Sequence, residues 1–182
     1  ANPAREISGF GNPSFLGGQF MAEIFGFGMK YGAFMMNPWC ISEVDVVRTD
    51  FGYIGMPVEF YPRSTYYHMQ LLSEYSKKNF LTSVVNQEYV KIIATSDDSG
   101  VMILVMNQHP KKDFDFNIVN RNTSFETELN IELGTTIPVN YKSSIPNQTT
   151  KLFIFSNNGS LEKEVVYSLE HNLSYAPPTI VE

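Results

Sequence analysis

Two textures of hydrophobic and polar positions divide the chain. Between Phe15 and Tyr31, the residues Leu16, Phe20, Ile24 and Phe27 recur at i, i+4, i+8 and i+11, one face of a helix. Ser14 is placed to cap that helix and Gly32 to end it. Gly17, Gly18, Gly26 and Gly28 each cost an isolated helix about 1 kcal/mol relative to Ala, so close packing on a neighbouring backbone is expected. Ala33 to Ile41 (AFMMNPWCI) is almost wholly apolar and does not alternate, which predicts a strand buried on both faces, weakened at Pro38. An aromatic-rich loop from Ser42 to Pro62 follows. A second helix then opens at Pro62 or Ser64 and runs to about Lys78, with Met69, Leu72 and Tyr75 on one face and Lys77 and Lys78 in its last turn.

After Asn79 the period falls to two. Strands are expected at Tyr89–Thr95, Val101–Asn107, Asp113–Val119, Glu126–Leu133, Ile137–Tyr141, Lys151–Phe155 and Glu164–Leu169. Asp97-Asp98-Ser99-Gly100 reads as the turn between the first two. Such strands at roughly 8–15-residue spacing predict an antiparallel β-sandwich. The expected fold class is therefore α+β, divided near residue 82: a helix-strand-helix piece over 1–82 and a sandwich over 83–182. The first piece is incomplete by itself, because one buried strand needs ladder partners on both sides. These are expected from missing chain, another subunit or the sandwich. Ala1 in place of an initiator Met adds to the expectation of a processed or shortened chain.

Composition narrows the chemistry. Thirteen Lys and Arg against 19 Asp and Glu leave a net charge of −6 and a pI near 5.1, which argues against a phosphate-binding, nucleic-acid-facing surface. No apolar run reaches the roughly 18–20 residues of a membrane span. The single Cys40 cannot form an internal disulfide or a CxxC knuckle, and three histidines (68, 109 and 171) give little for a metal. No metal and no cofactor is expected. Fourteen Phe, ten Tyr and one Trp leave rings to fill cores or to stack on sugars.

Against that background, the order of residues resembles a family pattern. The glycine-rich helix is followed by Phe34-Met35-Met36-Asn37-Pro38-Trp39 and by Ser42-Glu43. Next come Phe51-Gly52-Tyr53-Ile54-Gly55-Met56-Pro57 and Tyr61-Pro62-Arg63-Ser64-Thr65-Tyr66-Tyr67-His68-Met69. Over about residues 14–119 this resembles the end of the (β/α)8 barrel in retaining glycoside hydrolases of the clan containing families 39, 79 and 86, and is most similar to the agarase- and porphyranase-like family 86. The resemblance implies a C-terminal barrel fragment (helix, last strand, helix) followed by a bracing β-sandwich. It also implies a poly- or oligosaccharide ligand, the remainder of a barrel or another subunit as partner, and a secreted, periplasmic or cell-surface setting. The two catalytic Glu of that clan lie on earlier barrel strands, so no catalytic residue is expected in this chain and the chain alone is expected to be inactive.

The resemblance puts Trp39 at the sugar-facing end of the last strand; a buried core Trp is the plain alternative. If the strand continued, Glu43 and Asp45 would share a face about 7 Å apart, two rises of about 3.3 Å, as an acid and nucleophile pair could; solvated loop acids or sugar-hydroxyl ligands are the favoured readings, since the resemblance places the catalytic carboxylates elsewhere. Arg63, with Tyr66 and His68, would line a cleft rim or simply start the helix. A Cys40–His68 nucleophile pair is disfavoured by apolar Ile41 beside the thiol. Four Asn-x-Ser/Thr sequons begin at Asn122, Asn147, Asn158 and Asn172 and carry little weight by themselves. The competing reading is a non-catalytic carbohydrate-binding or structural sandwich; an aromatic such as Tyr141 could stack on sugar there, but a hydrophobic cluster between the sheets is the favoured reading of it.

Overall fold

A computed structural model describes residues 11, 13–42, 52–55, 60–120 and 129–181. The chain divides into two compact units, one of residues 1–74 and 167–178, the other of 75–166 and 179–182. The sequence places the boundary near residue 82 and does not anticipate the return of 167–178 to the first unit.

The first unit is built on two helices. In α1 (Phe15–Lys30) the Ser14 hydroxyl accepts from the Gly17 amide at 2.9 Å, and Gly32 takes φ +68° beyond Tyr31, so both end signals are realised. The buried face is not the expected one. Phe15, Gly18, Gln19, Ala22 and Gly26 point inward, whereas Phe20 and Phe27 are exposed and Leu16 and Ile24 only half-buried. The reason is the neighbour. A Cβ at Gly18 would overlap the Ser64 hydroxyl and come within 2.6 Å of the Ser64 carbonyl carbon. The start of α2 (Ser64–Tyr75) thus lies directly on the α1 backbone, where only small residues fit. α2 buries Ser64, Thr65, Tyr67, His68, Leu71 and Leu72 and ends three residues before the expected Lys78. A short α3 (Leu169–Leu173), capped by the Ser168 hydroxyl, completes the helices of this unit.

Residues 33–41 depart from expectation altogether. They form neither helix nor strand, and Phe34, Met35, Trp39 and Ile41 are exposed. Composition alone marks this run as interior; burial needs ladder partners and covering layers, and the described residues supply neither. Met36 nevertheless packs back onto α1, its sulfur occupying the space a Cβ at Gly28 would need. The described parts of the following loop are held by local bonds: Tyr53 N–H to the Cys40 carbonyl, Ile54 N–H to Ile41, and Arg63 N–H to Tyr53, each at 3.0 Å.

The second unit contains β1 (Asn79–Leu81), β2 (Ser83–Val85), β3 (Val90–Asp97), β4 (Gly100–Asn107), β5 (Phe114–Asn120), β6 (Asn130–Leu133), β7 (Asn140–Ile145) and β8 (Thr149–Ser156). β9 (Leu161–Ser168) begins in it, and β10 (Thr179–Val181) returns to it. One sheet has the order β1-β3-β4-β8-β9-β10, the other β2-β6-β5-β7. Val101, Ile103, Val105, Phe153 and Phe155 from the first sheet share a core with Phe116, Ile118, Ile131, Leu133 and Ile145 from the second, which is sandwich packing. Most pairings are antiparallel, as expected, but β5 and β6 run parallel (Ile118 opposite Ile131). The Asp97–Gly100 turn is as read from sequence. The Asp97 carboxylate accepts from the Ser99 amide at 2.9 Å and the Ser99 hydroxyl at 2.6 Å, and Gly100 takes φ +148°. These bonds hold the Asp97 pKa below the usual carboxylate value, with Lys77 Nζ adding a pair at 3.3 Å.

Candidate functional site

Trp39 is 72% exposed, so it is not a core tryptophan of the described residues. It sits in a stretch, residues 31–42, that carries no charged side chain. An accessible indole without competing charge can stack on the apolar face of a sugar ring. Glu43 and Asp45 lie outside the described residues. Arg63 is brought close to this loop but turned inward: it is 3% exposed, its Nη1 donates to the Gly52 carbonyl at 2.9 Å, and its guanidinium lies 5.8 Å from the Tyr61 ring centre. A guanidinium so committed braces the loop rather than reaching a ligand. Cys40 is half-buried, with its thiol toward the Ser42 carbonyl at 3.6 Å.

His68 belongs to the interior. It is fully buried, edge-on to Phe15 (5.5 Å between centroids) and to Tyr167 (5.4 Å), while Tyr67 packs on Tyr167 at 5.1 Å. Its Nδ1 lies 3.2 Å from the Ser64 hydroxyl and 2.8 Å from the Ser64 carbonyl. A serine hydroxyl beside an imidazole has nucleophile–base spacing. Here, however, both groups are buried to zero exposure and the hydroxyl donates to the Phe15 carbonyl at 2.9 Å, so no substrate can approach. Burial lowers the His68 pKa from 6.5 to about 4, against a smaller opposing effect from the Ser64 carbonyl. The ring is neutral at pH 7 and acts as a packed core group. Burial likewise pushes the Tyr167 phenol up.

A groove runs along the outer side of α2; of the three residues considered for a cleft rim, Tyr66 lines it, whereas Arg63 and His68 do not. Tyr53, Tyr66, Met69, Gln70, Ser73 and Glu74 line a volume of about 430 Å³. Spacing supplied the signal: positions 66, 69, 70, 73 and 74 fall at three- and four-residue intervals, hence on one helix face. Rings, an amide, a hydroxyl and a carboxylate on one open surface suit a neutral, hydroxyl-rich ligand. Burial raises the Tyr53 pKa to about 12, so its phenol stays protonated and can donate a hydrogen bond but not attack. That buried hydroxyl has no partner among the described residues.

In the second unit, Tyr141 packs on Phe153 (5.5 Å) and Phe155 (5.6 Å), so it extends the hydrophobic core and is not a sugar platform. The sequons separate by environment. Asn172 is buried and accepts from the Tyr167 hydroxyl at 3.2 Å, the Asn147 amide donates to the Pro110 carbonyl at 3.0 Å, and Asn158 lies exposed in the β8–β9 turn. Asn122 lies outside the described residues. No group of three or more His, Cys, Asp or Glu that could hold a metal occurs among the described residues, and no helix among them is long and apolar enough to cross a membrane. No protein-family model, curated protein or solved structure matches this chain.

Proposed function

We propose that this chain is a non-catalytic part of a polysaccharide-degrading retaining glycoside hydrolase, in which the sandwich braces a barrel and the Trp39 segment contributes to the sugar site. The observation that carries the reading is the exposed, charge-free segment bearing Trp39, which presents an indole rather than burying it. The interior-strand argument no longer contributes, because residues 33–41 lie at the surface. The Tyr53–Tyr66 groove, with Gln70, Ser73 and Glu74, adds a second surface of the composition that binds uncharged sugars. The rest of the enzyme supplies the two carboxyls, roughly 5–5.5 Å apart, that double displacement through a glycosyl-enzyme intermediate requires. Arg63 serves the site through the loop it holds. Work on insoluble or high-mass polymers places the enzyme outside the cytoplasm.

The test is release of reducing ends from agar-type galactans by the full translated polypeptide and by the 182-residue chain. The full polypeptide is expected to cleave and the chain to be inert, and Trp39→Ala in the former should raise KM about tenfold, the equivalent of about 1.4 kcal/mol. Turnover by the chain alone, or none by the full polypeptide, would refute the proposal. A stand-alone carbohydrate-binding sandwich is less favoured, because Tyr141, the aromatic considered for sugar stacking there, packs against the core as its favoured reading has it.

A further inference from the structure

We infer that His109 is the clasp of an acid-released strap in the second unit: its neutral ring holds the β4–β5 loop (residues 108–113) over one end of the sandwich core, and protonation of the ring frees that loop. The Lys111 amide donates to His109 Nδ1 at 3.1 Å and the Lys112 amide donates to the same atom at 2.8 Å. A side-chain acceptor bonded to amides a few residues further on is a role that Asn or Asp usually fills. Backbone amides only donate, so Nδ1 carries the lone pair and Nε2 the proton. Any acceptor would serve at this position. An imidazole is one that acid removes, because histidine is the side chain whose charge ordinarily changes near neutral pH. A proton on Nδ1 sets one N–H against two others and leaves both amides without this partner.

The same ring covers apolar surface. It is half-buried, edge-on to Tyr89 with 4.7 Å between centroids and to Phe114 at 6.1 Å. Phe114 belongs to the sandwich core, and Lys112 Nζ lies 4.9 Å from its ring centre. Other ties hold the strap in place. The Pro110 carbonyl accepts from the Asn147 side chain at 3.0 Å, and the Asp113 carboxylate accepts from the Asn147 amide at 2.8 Å. The buried Asn107 side chain donates to the Lys112 carbonyl at 2.8 Å and to the Pro146 carbonyl at 3.0 Å. Release is therefore local, a swing of the ring and of the 111–112 amides rather than loss of the sandwich. Charge favours that swing. Around the ring stand Lys111, Lys112 and Asp113 from its own loop and Tyr89, with Glu88 next to it, from the turn before β3; β5 presents Phe114, and the β7–β8 turn presents uncharged Asn147 and Gln148. An imidazolium would be a third positive charge within residues 109–112, and like charges repel. Nothing here depends on the sugar reading.

Nuclear magnetic resonance on the 182-residue chain between pH 8 and pH 4.5 tests the inference. At pH 8 the imidazole nitrogen signals should show His109 as the Nε2–H tautomer, with the Lys111 and Lys112 amide protons shifted downfield. On acidification both amides should move upfield and lose at least tenfold of their exchange protection, in step with the His109 ring, while Val101–Met106 stay protected. His109→Asn, which keeps an acceptor that does not titrate, should hold both amides in place at every pH. His109→Leu, which removes the acceptor, should show the open positions already at pH 8. The inference is overturned by amides that do not respond to pH in the parent, by an equal response in His109→Asn, or by the Nδ1–H tautomer at pH 8. Repeating the titration in His68→Leu should leave the loop response unchanged; a response that disappears with His68 belongs to the first unit and also overturns the inference.

Discussion

Acidification from pH 7 to pH 4 is expected to loosen the first unit through one residue. His68 is held neutral by complete burial among Phe15, Tyr67 and Tyr167, with its folded-state pKa lowered to about 4. The unfolded chain protonates it near 6.5, so between those values the unfolded state binds a proton that the folded state refuses. Stability is therefore fully present above about pH 6.5, falls as pH drops toward 4, and loses nothing further from this group below that. The interval between 6.5 and about 4, at about 1.4 kcal/mol per pH unit, corresponds to roughly 3 kcal/mol. The titratable neighbours are Tyr67 and Tyr167, whose raised pKa values keep them neutral throughout, and His171, whose ring lies 5.9 Å from that of Tyr167. Amide exchange in α1 and α2, measured at pH 7, 6, 5 and 4 in the parent and in His68→Leu, isolates the effect. The parent should lose protection by about two orders of magnitude and the variant should show a much flatter profile. If the two profiles fall in parallel, His68 is not the acid-sensitive group.

Two further substitutions probe packing. Gly18→Ala places a methyl against the Ser64 carbonyl carbon and His68 Nδ1; overpacking of about 1–3 kcal/mol outweighs the roughly 1 kcal/mol gained in helix propensity, so the melting temperature should fall, and a rise would contradict the close α1–α2 crossing. Lys151→Met removes the partner of Glu164, which is held at 2.7 Å with both side chains mostly covered; a loss of about 1–2 kcal/mol in urea unfolding is expected, partly recovered by adding Glu164→Gln.

How much of this was legible in the residues depends on what each element packs against. The start of β5 declares itself because a strand wet on one face imposes period two, with Phe114-Asp115-Phe116 buried-exposed-buried. β4, by contrast, is buried at every position and is legible as a continuous apolar run bounded by the Asp97–Gly100 turn. β1, β2 and β10, at three residues each, are too short to show a period. β7 was misplaced for a related reason: apolar Ile137-Pro138-Val139 drew the expectation, whereas the strand is Asn140–Ile145, a polar run at the sheet edge. α1 was recognisable as a helix, but its inward side was not. A stripe of large apolar residues is the usual mark of an inward side, whereas the true neighbour at Gly18 is the Ser64 backbone, which only a small residue can approach. The same limit applies at the candidate site. Apolar Ala33–Ile41 records a preference for burial without recording what does the burying, and Arg63 advertises charge without showing that it faces a carbonyl. The Tyr53–Tyr66 groove joins a loop residue to a helix face, a juxtaposition that spacing along α2 reveals only in part.

The path of the chain has a consequence for its biosynthesis. Tyr167, the ring that closes around His68, is made only after residues 75–166, which belong to the other unit. At about 5–20 residues per second, the α1–α2 pair emerges from the ribosome on the order of 5–20 s before its last aromatic wall exists. Through that interval the nascent helices expose an imidazole and apolar rings together, so holdase capture should be strongest on chains arrested before Tyr167 and should fade once Pro178 has cleared the exit tunnel.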